Sequence, residues 1–121
     1  YAPHSVCEAA ATASADFGAV PVVVFTLSGD TALYLSKIRN QSPIYAFSPS
    51  RDVVAMLSLA WNVTAFGLRF GTNHLSLQRE AERILLQRRV VRRGQHVVMV
   101  SGTGSMRGMT SSMRIKRIGV D

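Results

Sequence analysis

The chain is expected to fold as a three-layer α/β/α domain around a five-stranded, mostly parallel sheet whose last strand is antiparallel. Three observations carry that expectation. Short apolar runs rich in β-branched residues recur along the chain, with helical segments between the first four of them. Pro21–Thr26 and His96–Ser101 are apolar without alternation, as in strands buried on both faces. The last run, Ser112–Ile118, follows its predecessor through a loop with no helix, so those two strands should run antiparallel.

The elements follow in order. His4–Phe17 is rich in Ala, with Ser5 and Glu8 spaced as a capping box, and reads as a helix ending at Gly18. The first strand, Pro21–Thr26, leads at once through Ser28-Gly29-Asp30 into a helix over Thr31–Arg39, with Leu33, Leu35 and Ile38 on its apolar side. Pro43–Phe47 is the second strand. Ser48 is expected to cap the next helix, with Pro49 at its first position, where a missing N–H costs nothing; that helix runs to about Ala60. Asn62–Gly67 is the third strand. Leu75–Val91 is a long helix with Leu77, Ala81, Ile84, Leu85 and the Arg88 stem on its apolar side, closed by Gly94. His96–Ser101 is the fourth strand. The Gly/Ser-rich stretch Gly102–Thr110 connects it to Ser112–Ile118, which alternates apolar and basic residues and should have one wet face.

The 121 residues, 47% of them apolar, suit a single domain with a real core. No apolar run approaches the ~20 residues a membrane helix needs. No signal peptide is visible, so neither a membrane partner nor a secretory route is expected. The chain opens on Tyr1-Ala2-Pro3 without Met, which reads as a processed or truncated chain. Cys7 is the only cysteine, which excludes an internal disulfide and a cysteine-based metal site, and it reads as a buried structural thiol. Asn40-Gln41-Ser42 and Asn62-Val63-Thr64 fit the glycosylation sequon and read as chance matches.

The net charge of +7 is placed unevenly. Lys37, Arg39 and Arg51 are outnumbered by Glu8, Asp16, Asp30 and Asp52 in the first half, so all the excess positive charge lies after residue 60. Such asymmetry marks a nucleic-acid surface, a site for a phosphorylated ligand, or a solvated helix face. The aromatics are few and show no stacking motif, so no nucleic-acid partner is expected.

Two segments carry candidate binding chemistry. In Thr26-Leu27-Ser28-Gly29-Asp30-Thr31, a strand ends and a helix begins. Unpaired N–H groups there carry partial positive charge, the hydroxyls of Thr26, Ser28 and Thr31 add donors, and Gly29 lets a ligand approach. The carboxylate of Asp30 opposes a phosphate. The same Ser28 and Thr31 would serve equally well as plain helix caps. In the second segment, Gly102, Thr103, Gly104, Arg107 and Gly108 form a loop able to fold over an anion, with Arg107 as clamp, although a plain hairpin connection reads the same. It has neither the Walker nor the dinucleotide fingerprint. Two hydroxyl-rich loops after buried strands point to a shared crevice. His4, His74 and His96 are scattered, no serine sits in a nucleophile elbow, and no paired carboxylates appear, so neither catalysis nor a metal site is expected.

These segments also resemble a family. Val24–Ala32 with Leu35–Arg39 is similar to the "VFTxSGxTAxxxSKxRP" segment of pyruvate kinase C-terminal domains. Ser42–Pro49 resembles their "APIIAFTP", His96–Gly102 their "DLVVIVSG", and Thr110–Ile115 their closing "TNxMRV". Ser5–Ala10 fits the helix that enters the domain. The match is collinear over nearly all of residues 1–121. It implies a single regulatory domain without the catalytic barrel, where the catalytic lysine, magnesium and potassium belong. It further implies no cofactor in this domain, a phosphorylated small-molecule effector bound by the two loops, a homo-oligomer, and a cytoplasmic glycolytic parent enzyme. Alone, the chain should be inactive. Asp30 departs from the basic or neutral residue of fructose-bisphosphate-responsive animal enzymes, whereas some bacterial members share it. The aromatic and Arg that hold the sugar phosphate in animal enzymes should fall near Phe70–Arg79. A free-standing phosphate- or nucleotide-binding module remains the alternative.

Overall fold

The structure, a computed structural model, describes residues 2–38, 41–71, 73–101 and 112–120. Four helices and five strands follow the expected order: α1 (Ala2–Asp16), β1 (Val22–Phe25), α2 (Asp30–Lys37), β2 (Ile44–Ser48), α3 (Arg51–Leu57), β3 (Val63–Gly67), α4 (His74–Gln87), β4 (His96–Ser101) and β5 (Ser112–Arg117). The strands form one sheet in the order β3-β2-β1-β4-β5, parallel except for the β4–β5 pair.

Chain chirality explains this order. A right-handed crossover returns a parallel strand to the sheet with its helix on one fixed face. From β1, the chain steps through α2 to β2 and through α3 to β3, always in one direction. It then reverses through α4 to reach β4, on the other side of β1. The reversal puts α4 on the opposite face. The core is therefore divided by the sheet. Val22, Val24, Ile44, Ala46, Val98 and Val100 meet α1, α2 and α3. Val23, Phe25, Phe47, Val97 and Met99 meet α4 through Leu77, Ala81 and Leu85. All four residues of β1 are fully buried, as the unbroken apolar run requires.

Three expectations are corrected. The helix expected from Ser48 begins later. Ser48 is the last residue of β2 and pairs with Gly67, while Ser50 caps α3 by accepting the Val53 N–H at 3.3 Å. The strand run simply extends one residue further before the turn. The Ser5–Glu8 box lies inside α1 rather than at its start, because Pro3 is well tolerated in a first turn, where its missing N–H has no intrahelical partner. Gly18 does terminate α1, at φ +90°. In α4, the buried stripe is Leu77, Gln78, Ala81, Glu82 and Leu85, so two polar residues join it. Arg88 lies at the helix end with its guanidinium 5.5 Å above the Phe66 ring.

The polar members of the α4 stripe meet β5. Residues at alternate positions of a strand share a face, and Arg114 and Lys116 turn toward α4. Met113 and Ile115, on the other face, are exposed. The wet face of the last strand is thus the apolar one. Lys116 Nζ donates to Glu82 Oε1 at 2.7 Å and to the Val120 carbonyl at 2.9 Å, and Gly119 N–H donates to the same Glu82 oxygen at 3.3 Å. Both side chains are more than nine-tenths buried. The pair ties the C-terminal turn to α4. Removing one partner of such a pair strands a buried charge, which typically costs about 3–5 kcal/mol, whereas an apolar replacement of both is often neutral. Lys116→Met should therefore lower the unfolding free energy by about that amount in urea titration, and Lys116→Met with Glu82→Leu should recover most of it.

Candidate functional site

Strand order reverses at β1, which leaves a crevice at the carboxyl end of the sheet between β1 and β4. Open α/β sheets place ligands at such a reversal. The register sets Phe25 opposite Ser101 on one side and opposite Phe47 on the other. The turn Thr26–Thr31 therefore starts beside the point from which the chain leaves β4. Gly102, Thr103, Gly104, Arg107 and Gly108, the second half of the expected site, lie outside the described residues.

The five expected residues of the first half share one tight turn but divide by exposure. Thr26 is buried, and its Oγ1 accepts the Gly29 N–H at 2.9 Å. Its own N–H donates to the Phe47 carbonyl at 3.0 Å. Ser28 is exposed, and its Oγ accepts the Asp30 N–H at 3.3 Å, which leaves its O–H free to donate outward. Gly29 occupies the N-cap position of α2 in the left-handed region, at φ +92°. Asp30 is exposed in the first helical turn and Thr31 is buried. Gly29 at the N-cap position has no side chain to offer, and Ser28 answers only the Asp30 N–H, from the residue before the cap. The N–H groups of Thr31 and Ala32 in the first turn thus have no capping side chain, which is the arrangement that attracts an anion. Thr26 shapes the turn from beneath, whereas Ser28 and Asp30 face solvent.

The glycine is also closely packed. A Cβ at Gly29 would lie 2.7 Å from Met56 Cε and 3.3 Å from Val53 Cγ1, so the turn rests directly on α3.

On the α4 side of the same end, Phe70 packs edge-on against Phe25, with ring centroids 6.3 Å apart. This brings the start of the Phe70–Arg79 stretch to the end of β1, while Arg79 itself is exposed on α4. Next to it, Arg114 Nη1 donates to Gln78 Oε1 at 2.8 Å, and Gln78 Nε2 meets His74 Nε2 at 3.0 Å. This group was not anticipated. Its signal was present: polar residues at i, i+4 and i+8 (74, 78, 82) flank the apolar stripe of α4, and basic residues at i and i+2 on β5 answer them.

Two further features lie elsewhere. A shallow apolar cleft of about 260 Å3, lined by Pro49, Arg51, Val54, Ala55 and Gly67, opens on the β2–β3 side of this end. Burial, reinforced by Glu8, pushes the Cys7 thiol up to about 11, consistent with a structural residue. Among the described residues, no three His, Cys, Asp or Glu side chains gather as a metal site, and no helix is long and apolar enough to cross a membrane.

The fold defines an open α/β domain whose strand order reverses at β1. The chain belongs to the pyruvate kinase alpha/beta domain family, whose model matches residues 4–116. It is 29% identical over 117 residues to a pyruvate kinase of Agrobacterium vitis, covering 96% of this chain and 24% of that protein. It is 30% identical over 101 residues to a pyruvate kinase of Corynebacterium glutamicum, covering 83% of this chain and 21% of the other. The chain thus spans about a quarter of the length of these relatives. A crystal structure of a pyruvate kinase from Cryptosporidium parvum superposes with a TM-score of 0.84 at 22% identity, over 96% of this chain and 22% of that one. That likeness establishes the shared fold.

Gly29 and Gly18 separate strain from crowding. Both sit near φ +90°, but a Cβ at Gly18 would meet nothing within 4 Å. Gly18→Ala should cost about 1 kcal/mol from the backbone alone. Gly29→Ala should cost clearly more in the same thermal or urea titration, and Met56→Ala should relieve part of the excess.

Proposed function

We propose that this chain is the regulatory C-terminal domain of a pyruvate kinase, binding a phosphorylated small-molecule effector in the β1–β4 crevice. The observation that carries this reading is the uncapped N-terminus of α2 at the strand-order reversal, with Ser28 exposed beside it. Backbone N–H groups would take the phosphate oxygens, and the Ser28 hydroxyl would donate to one of them. Thr26 holds the turn in shape. Asp30 repels a second negative charge and accepts a sugar or ribose hydroxyl, which favours a ligand with one phosphate at this end. The family relationship supports the reading. In the parent enzyme, phosphoenolpyruvate and ADP would become pyruvate and ATP in a separate barrel, which would also hold magnesium and potassium. The setting would be the cytoplasm.

The domain would also contribute to a homo-oligomer through β5. This strand is a sheet edge, and its exposed Met113 and Ile115 face away from α4. An edge with unpaired backbone groups and apolar side chains is a ready pairing surface. Ile115→Lys should shift the chain toward monomer in sedimentation at high micromolar concentration; a wild-type chain that is strictly monomeric there would refute this part.

A charge-assisted hydrogen bond contributes roughly 1.5–3 kcal/mol. Ser28→Ala should therefore weaken binding of a sugar phosphate or nucleoside monophosphate about ten-fold in titration calorimetry. Asp30→Ser should leave inorganic phosphate affinity unchanged or tighter. A coupled assay with phosphoenolpyruvate, ADP and magnesium should show only background turnover for this chain. Affinity indifferent to both substitutions would place the effector elsewhere.

A further inference from the structure

We propose that the end of the sheet opposite the crevice carries a second anion-binding surface, built on Arg93 and Arg117 and taking phosphate groups. The helix α4 descends from the crevice end, so the α4–β4 connection and the end of β5 meet at the far end. There the two turns are locked together. Gly94 N–H donates to the Ile118 carbonyl at 2.8 Å, and Ile118 N–H donates to the Gln95 carbonyl at 2.8 Å. Arg93 reaches across this bridge in one direction, with Nη1 lying 2.8 Å from where a Cβ on Gly119 would be. Arg117 reaches across it in the other, with Nη2 3.7 Å from the Cβ position of Gly94 and Nε 3.5 Å from the Gly94 carbonyl. Two guanidinium groups thus lie over two glycines, whose missing side chains give them room.

Among the described residues, the charge around these two glycines is not paired. Arg92, next to Arg93 in the chain, is exposed as well. Among the described residues, the acids of α4 are already engaged: Glu80 pairs with Arg83, and Glu82 is buried on Lys116. No described carboxylate is paired with Arg92, Arg93 or Arg117. Such crowding of like charge is relieved when an anion binds, and guanidinium forks match phosphate oxygens in pairs. All three cations are arginine. Two guanidinium forks on adjoining turns suit a ligand with several phosphates better than a lone carboxylate. A free polyphosphate anion and a phosphodiester backbone share this chemistry.

The test is amide chemical-shift mapping of the full chain with sodium tripolyphosphate and, separately, with a twelve-residue oligothymidylate. The Gly94 and Gly119 amides should shift with tripolyphosphate. Arg93→Ala with Arg117→Ala should weaken that response at least ten-fold, while Ser28→Ala leaves it unchanged, which keeps this site distinct from the effector crevice. Arg93→Lys with Arg117→Lys should retain part of it. A matching oligothymidylate response would identify a phosphodiester ligand, and a response to tripolyphosphate alone would identify a free anion. If the alanine pair does not fold, Arg93→Gln alone decides the point by weakening the response. Gly94 and Gly119 amides unmoved at millimolar tripolyphosphate, or equally moved in the folded arginine variants, would overturn the proposal.

Discussion

Everything in this domain follows from a strand that cannot face water on either side. Val22–Phe25 is fully buried, and its neighbours on both sides are parallel to it. Both faces of β1 must therefore be covered by helices, and parallel strands can be joined only by crossovers. Because crossovers have one hand, helices reach both faces only if the chain steps away from β1 in two directions. The chain steps through α2 and α3 one way and through α4 the other. The crevice at the carboxyl end of β1 is a geometric by-product of that requirement, and the turn Thr26–Thr31 is where it opens.

The turn is constrained from beneath as well. The Thr26 hydroxyl holds the Gly29 N–H, and Gly29 lies against the Met56 methyl end and Val53 of α3. Whatever binds at the N-terminus of α2 therefore sits on a turn in direct contact with α3. Such a contact is how a small displacement at an effector site would reach a neighbouring element.

The fold was legible because its two strongest signals are composition and period. Unbroken apolar runs announced β1 and β4, and the helix-free connection announced the antiparallel β5. What escaped was pairing between distant polar residues. Gln78 and Glu82 read as the solvated flank of α4 until Arg114 and Lys116 are brought against them, 36 and 34 residues further on. The start of α3 escaped for a local reason: Ser48 and Ser50 both suit a cap, and only the length of the neighbouring β3 decides that Ser48 stays in the sheet. Half of the candidate site was legible as a turn with hydroxyls and a glycine. Which hydroxyls face a ligand was not, because Thr26 and Thr31 are buried by β2 and α2 packing that sequence spacing does not reveal.

The most direct measurement of the central claim is a crystal structure of the chain soaked with a sugar phosphate. Phosphate density is expected over the N-terminus of α2, within hydrogen-bond distance of Ser28 Oγ and the backbone N–H groups of Thr31 and Ala32. Clear ligand density away from this turn, with the α2 N-terminus bare, would contradict it.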